Sequence, residues 1–231
     1  MSKPGKTVLI TGASKGLGRS LALAFAASGH HVVAHGRDES RLNTVKREIQ
    51  AHGVDCHAII GDISDEETIR ALTACAEKVD VDILINNAGI YLRKPIKEMS
   101  PEELRGILEV NLIAPILLTK AILELFERKS SGLIININSV AGKNPGLFES
   151  AYCASKHGLR GFMGSLKFET LKYDVPIVDI YLGAMNTDMA AERKDAAKHI
   201  RTEEVAELVS KIAQDYSSMR ISEIDILRRI Y

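Results

Sequence analysis

Thr7-Val8-Leu9-Ile10-Thr11-Gly12-Ala13-Ser14-Lys15-Gly16-Leu17-Gly18 joins a run of β-forming residues to a glycine-rich turn, and residues 20–27 behind it have the composition of a helix closed by Gly29. A strand, a glycine turn and a helix in that order mark the place where an open α/β sheet binds a nucleotide, outside the carboxyl ends of its strands. Glycines let the backbone approach a diphosphate, and the helix N-terminus offers unpaired N–H groups and a positive dipole end. Gly12, Ser14, Lys15, Gly16, Leu17 and Gly18 are therefore candidate cofactor-binding residues. No GxxxxGK[ST] occurs, which argues against a P-loop NTPase. A tight turn used only for packing accounts for the glycines alone equally well, so other segments must decide.

Working outward, strand-like runs alternate with segments of helical length, the pattern of βαβ units around a parallel sheet. Strands are expected at 31–35, near 56–60, and at 81–85, 133–138 and 177–182, with a last one at 221–227. Helices are expected over 40–51, ending at Gly53, and from Ser64, where Glu67 completes a capping box. Ser100, Pro101 and Glu103 predict the start of a long helix through Leu125 with a kink at Pro115. A helix bearing Tyr152 continues towards Leu171, and helical stretches follow Asn186 and Thr202. The strands before Leu182 are nearly continuous apolar runs, as in a sheet covered on both faces. The expected fold is a single Rossmann-type α/β domain over 1–231, a doubly wound parallel sheet with helices on both faces.

Thirty basic and thirty acidic side chains cancel, so bulk charge points to neither a nucleic-acid partner nor an anionic membrane. No apolar run in the sequence approaches bilayer length, and the start leads into Val8 without the apolar stretch of a secretory signal, so a cytoplasmic protein is expected. Cys56, Cys75 and Cys153 are too widely spaced for a zinc site and read as small buried hydrophobes. The histidines, His157 beside Lys156 included, lack metal-ligand spacing, and no metal is expected.

Tyr152-Cys153-Ala154-Ser155-Lys156 places a phenol and an ammonium four residues apart, on one face of a helix. A neighbouring positive charge lowers a tyrosine pKa from about 10 towards values useful for proton transfer. By itself the pair is equally an exposed tyrosine and a solvated lysine.

Taken together, the chain resembles the short-chain dehydrogenase/reductase family along nearly its whole length up to Thr187. TGASKGLG at 11–18, Asp62, NNAG at 86–89, Asn111, Ser139, YCASK at 152–156, and Gly183 with Thr187 fall in family order. The resemblance implies that Tyr152 is the acid that protonates a carbonyl oxygen as hydride arrives, or the base in reverse. It implies that Ser139 holds that oxygen, that Lys156 lowers the tyrosine pKa and grips the nicotinamide ribose, and that Asn111 holds a water linking the lysine to solvent. Asp62, with Ile63 beside it, would contact the adenine; Asn87, Ala88 and Gly89 would pass under the adenine ribose; Gly183 and Thr187 would flank the nicotinamide. There are two departures: Leu182 stands where the family has proline, and Asn138 where a serine commonly precedes the catalytic serine. Residues 184–199, with Met185 and Met189, are the expected substrate lid and carry no recognisable substrate signature; a surface helix with no substrate role accounts for the same residues nearly as well.

The end of the second strand bears on the cofactor. Gly36 occupies the position at which NAD enzymes commonly place an acid for the adenosine ribose, while Arg37 is suited to a 2′-phosphate, with Lys15 as a second charge. NADP(H) is expected, with Asp38 as the complicating carboxylate. The expected partners are a small carbonyl or alcohol substrate and further copies of the chain, as a dimer or tetramer, because the helix over 100–125 and the Tyr152 helix carry surplus apolar residues. An NAD-linked alcohol dehydrogenase and a nucleotide-binding regulator without turnover are the alternatives.

Overall fold

Why the glycine turn lies where it does follows from the sheet around it. A computed structural model describes residues 5–185, 199–213 and 219–229. The strands are β1 Thr7–Ile10, β2 His31–Gly36, β3 Cys56–Ile60, β4 Ile83–Asn86, β5 Leu133–Ser139, β6 Ile177–Leu182 and β7 Glu223–Ile226. They form one seven-stranded parallel sheet in the order β3-β2-β1-β4-β5-β6-β7. The chain runs outward from β1 to β3, then crosses back to lay β4 against the other side of β1. That reversal opens a crevice at the carboxyl ends of β1 and β4, the nucleotide position of doubly wound sheets.

The helices are α1 Gly16–Ala27, α2 Glu39–Gln50, α3 Glu66–Lys78, α4 Pro101–Leu108, α5 Ala114–Lys129, α6 Ser150–Glu169 and α7 Thr202–Ile212. Side chains alternate across a strand, so one strand feeds two cores. Val8 and Ile10 of β1 pack with Leu21, Phe25, Leu42, Ile49, Val205 and Val209 from α1, α2 and α7. Leu9 packs on the other face with Leu72, Leu118, Ile122, Phe126, Leu159 and Met163 from α3, α5 and α6.

The second face also carries a polar ladder. Asn86 donates to Thr119 and Asn136 (2.9 Å each), Asn136 donates to Asp179 (3.0 Å), and Lys167 pairs with Asp179 (2.7 Å). The ladder ties β4, β5 and β6 together under α5 and α6, although the Asn86 Oδ1 is buried without a hydrogen-bond partner.

Three expectations change. Ser64 does not cap α3: its amide and hydroxyl both donate to Asp62 Oδ1 (3.0 and 2.7 Å), and the helix starts at Glu66. A carboxylate two residues upstream outcompetes the helix for that serine. The long helix has a π turn over Glu109–Ile113 ahead of Pro115, where a kink at the proline was expected. Proline lacks the N–H that an α-helix would direct to the Asn111 carbonyl, so the turn before it widens. Thirdly, Pro101–Lys129 is by length and composition long and apolar enough to cross a membrane, although the sequence was read as having no such run. In this fold Leu118, Ile122 and Phe126 are fully buried against the sheet, the place of a core helix. The capping box at Ser100 and Glu103 is present as expected. The helix expected after Asn186, and most of the expected lid with Thr187 and Met189, lie outside the described residues.

Candidate active site

At the carboxyl end of β1 the backbone turns through Gly12 (φ 68°) and Gly16 (φ 53°), left-handed conformations that favour glycine. A Cβ on Gly12 would lie 2.9 Å from the Ala88 Cα, and one on Gly18 would collide with the Gly12 carbonyl oxygen. Gly12 thus lets the loop close on the β4 segment, and Gly18 lets α1 approach it. Lys15 precedes α1 in an extended conformation without capping the helix by its own side chain. The α1 amides therefore face the crevice, as an anion site requires. Ser14 lies against Gly36, where a Cβ would come within 3.0 Å of the serine Cβ. Leu17 points into the core, 5% exposed, so only its backbone serves the loop. These residues fit a dinucleotide diphosphate.

The loop is held by contacts the sequence reading did not foresee, one of them from a histidine to which it gave no role. Thr11 Oγ1 accepts from the Asn87 and Ala88 amides (2.9 and 3.0 Å), and Asn87 Nδ2 donates to the Thr11 carbonyl (2.8 Å). His35, 2% exposed, accepts from the Gly12 amide at Nδ1 (3.4 Å), which leaves Nε2 to donate to the Gly61 carbonyl (3.1 Å). Burial holds the His35 pKa below its ordinary value, so the ring is neutral. Nothing in its spacing marks His35 as special; only the strand register, His35 beside Ile59, brings it to the loop.

Beyond β2, Arg37 donates to Asp62 Oδ2 (3.0 Å). Partial burial pushes the Asp62 pKa up, but the hydrogen bonds from Ser64 and Arg37 outweigh it and hold the carboxyl below its ordinary range. Asp38 caps α2 through the Arg41 amide (3.0 Å) and pairs with the Arg41 side chain. Ile63 is buried in the second core, which leaves its backbone for any ligand.

Ser139 ends β5, and Tyr152 and Lys156 lie one turn apart on α6. Tyr152 is hydrogen-bonded to Ser139. Ser139 Oγ also accepts from the Ala141 amide (3.1 Å). Lys156 Nζ lies 6.0 Å from the Tyr152 ring centroid and donates to the Ile137 carbonyl (3.3 Å). Burial raises the Tyr152 pKa to about 12, the Ser139 hydrogen bond opposing, and burial lowers that of Lys156 to about 8. Lys156 was expected to lower the tyrosine pKa, but desolvation of the phenol dominates and the pKa is raised. Asn138, the departure from the family serine, receives the Ser139 amide (2.8 Å) and donates to the Lys156 carbonyl (3.4 Å), so it ties β5 to α6.

Asn111 sits in the π turn, buried. Its side chain accepts from the Ile90 amide, donates to the Ile90 carbonyl (2.8 Å each) and donates to Ser155 (3.2 Å). The side chain is thus a clamp on the chain after β4, and the backbone carbonyl, which Pro115 cannot reach with a hydrogen bond, is the group suited to a water. A Cβ on Gly89 would lie 3.2 Å from Asn111 Oδ1 and 3.9 Å from Lys156 Nζ, so Gly89, Asn111 and Lys156 converge. Gly183 follows β6 and donates its amide to Ile226 (2.9 Å). Two residues absent from the sequence reading border Tyr152. Tyr91 meets it edge to face, and Glu149 accepts from the Tyr91 hydroxyl (2.6 Å). Among the described residues no cluster of three metal-ligating side chains occurs.

Fold and site define a doubly wound α/β protein with a dinucleotide crevice and a tyrosine–lysine pair beside it. The chain belongs to the short-chain dehydrogenase/reductase family, an oxidoreductase family that binds nicotinamide cofactors: the family model, described as short chain dehydrogenase, matches residues 6–198. Dehydrogenase/reductase SDR family member 7B of Xenopus laevis is 37% identical over 79% of this chain, and the match spans 59% of that protein's length. A 3-oxoacyl-(acyl-carrier-protein) reductase of Synechocystis is 32% identical over 94% of this chain and 92% of its own. A metagenomic short-chain oxidoreductase solved in complex with NADP has a TM-score of 0.87 at 31% identity and full coverage of both chains.

Proposed function

We propose that this protein reduces a ketone or aldehyde with NADPH, Tyr152 delivering the proton. The observation that carries the reading is the Tyr152 phenol, hydrogen-bonded to Ser139 and kept protonated by burial. When bound, the nicotinamide supplies a hydride to the carbonyl carbon. The charge that develops on the oxygen is met by the Ser139 and Tyr152 hydroxyls, already oriented and largely out of water. The Tyr152 proton moves to that oxygen because an alkoxide is a stronger base than a phenolate. Lys156, an ammonium at neutral pH with its pKa near 8, stabilises the phenolate left behind and holds the ribose.

NADP(H) is the preferred cofactor in this reading. Asp38 is engaged as a helix cap, Gly36 has no carboxylate, and Arg37 stands at the crevice, two-thirds exposed and able to exchange Asp62 for a phosphate. The NADP-bound relative supports the same choice. The three cysteines are free thiols, in keeping with a cytoplasmic protein. A homodimer or tetramer is expected, for Ile113 at the end of the π turn, Leu117 in α5 and Phe168 near the end of α6 expose apolar surface; light scattering that returns a monomer at micromolar concentration refutes it.

The deciding experiment follows NADPH oxidation with a panel of ketones, aldehydes and acyl-thioester ketones. Tyr152→Phe must bind NADPH normally and lose well over tenfold in turnover, where a factor of ten is about 1.4 kcal/mol of barrier. A tenth of the activity surviving removes Tyr152 from the role. Arg37→Ala must weaken NADPH binding and leave NADH binding unchanged; equal affinity for both cofactors in the wild type refutes the preference.

A further inference from the structure

The chain leaves β5 through a short turn that closes on itself. Ser139 Oγ caps it at the Ala141 amide, and the Lys143 and Asn144 amides both return to the Val140 carbonyl (2.9 and 2.8 Å). Gly142 seats the turn on α6, for a Cβ there would lie 2.9 Å from the Lys156 carbonyl oxygen. From the end of the turn Lys143 reaches across to β7. Its Nζ donates to Asp225 Oδ1 (2.6 Å), lies 3.2 Å from Glu223 Oε2, and rests 3.9 Å from the ring centroid of the buried Tyr181.

Glu223 and Asp225 lie two apart in β7 and so share a face. Asn138, Tyr181 and Asp225 stand in register across β5, β6 and β7, so the sheet itself lays the acid beside the ring. Glu223 also comes within 4.0 Å of Lys167 on α6, whose ammonium donates to the Ser222 carbonyl (2.9 Å) and pairs with Asp179 of β6 (2.7 Å). One strand thus holds the turn bearing Ser139 by one lysine and the helix bearing Tyr152 by another. A lone exposed ion pair fixes little, whereas an ammonium between two carboxylates and an aromatic face belongs to a network with one geometry. Burial works against the Lys143 charge, but the hydrogen bonds to Asp225 and Glu223 outweigh it and hold its pKa above the ordinary lysine range. The clamp therefore stays charged in the range where Lys156 titrates.

We infer that Lys143 is a positioning residue for the reduction: clamped by Glu223 and Asp225 over Tyr181, it fixes the Ser139 turn against α6 and so sets how the Ser139 and Tyr152 hydroxyls meet one carbonyl oxygen. This rests on Tyr152 being the proton donor. Two hydroxyls that must converge on a single atom tolerate little displacement, and a misplacement of about 1 Å at a reacting centre can cost roughly a hundredfold. Loosening the clamp accordingly acts on the chemical step and spares the crevice at β1 and β4, where the dinucleotide is held.

The test uses the full chain and whichever ketone or aldehyde of the panel is reduced fastest, with NADPH binding measured by calorimetry beside steady-state kinetics. Lys143→Met keeps the length of the side chain and removes its charge. It is expected to lower kcat roughly tenfold while the NADPH stoichiometry stays that of the wild type and the NADPH Kd and the KM stay within about twofold. Lys143→Arg, which can stack on the same ring and pair with the same acids, is expected to recover most of the loss. Asp225→Asn lowers kcat in the same direction, and adding it to Lys143→Met costs little further, because the two residues act as one unit. Should Lys143→Met fail to fold, Asp225→Asn and Lys143→Arg carry the test. A kcat within about twofold of the wild type in the variant that removes the clamp overturns the inference. So does a fall in kcat matched by an equal fall in the fraction of chains that bind NADPH, or an arginine that recovers nothing. Full activity in Tyr152→Phe strikes instead at the proton-donor reading beneath it.

Discussion

Lys156 and Tyr152 share one helix face, yet burial moves their pKa values in opposite directions, to about 8 and about 12. Burial disfavours whichever form is charged. Lys156 is the group that titrates in an accessible range, and the proposed reduction calls on its ammonium form, present below its folded pKa and lost above it. The reduction rate, as kcat/KM from pH 6 to 10, is expected to hold steady and then fall about tenfold per unit above a pH near 8. A profile flat to pH 10 contradicts the assignment. The side chains proposed to perform the chemistry were legible in the sequence because the family resemblance numbers them. The ones that hold them were not. His35, Thr11, Tyr91 and Glu149 reach the site through register and turn geometry, which local spacing does not encode. Asn111 was legible as a site residue, but its side chain proves to be a clamp on Ile90.

Among the elements, the π turn between α4 and α5 joins helix geometry to the site. Pro115 withholds one hydrogen bond, the helix widens over Glu109–Ile113, and Asn111 turns inward to Ile90 and Ser155. Pro115→Ala restores the missing N–H and allows an ordinary α-helix through this point. The variant is expected to keep its helix content and lose roughly ten- to a hundredfold in kcat, since small misplacements at a reacting centre are costly. Circular dichroism beside kinetics checks both halves, and unchanged kcat would detach the turn from catalysis. Helix starts with complete signals, such as Ser100-Pro101-x-Glu103, were read correctly. The start of α3 was not, because the competitor for Ser64 was Asp62, a residue whose role was legible only as an adenine contact. The π turn was anticipated only as a kink, since the sequence shows where a bond is missing and not how the chain redistributes the strain.

For the whole molecule, two cores lie on the faces of one sheet, and the crevice sits where β1 and β4 meet. The alternating strands and helices made this architecture legible, since apolar runs buried on both sides leave few other arrangements. The buried polar ladder across β4, β5 and β6 was not, for asparagines in a strand look alike until register pairs them. His35 links the fold to pH. Its folded pKa lies below 6.5, burial being the main cause, with Asp62 opposing and Arg37 adding to the depression. The unfolded chain therefore binds the proton more readily. The stabilisation is present above pH 6.5 and is lost as the pH falls from there through the lower folded value. Each unit of depression corresponds to about 1.4 kcal/mol, or roughly 3–6 °C in melting temperature for a chain of this size. Melting between pH 8 and 5 is expected to show a fall that is smaller in His35→Gln; parallel curves would show that another group is responsible.

The Thr11 hydroxyl takes its two amides from Asn87 and Ala88, 76 and 77 positions further along the chain. A polypeptide emerging from the ribosome thus exposes its glycine loop long before the segment that braces it exists. Until β4 has been made and has crossed back past two finished strands, the loop has only its β2 contacts at His35 to hold it. Dinucleotide capture is consequently expected to come late in biosynthesis, and a truncated product that ends before Asn87 is expected to bind the cofactor far more weakly than the whole chain.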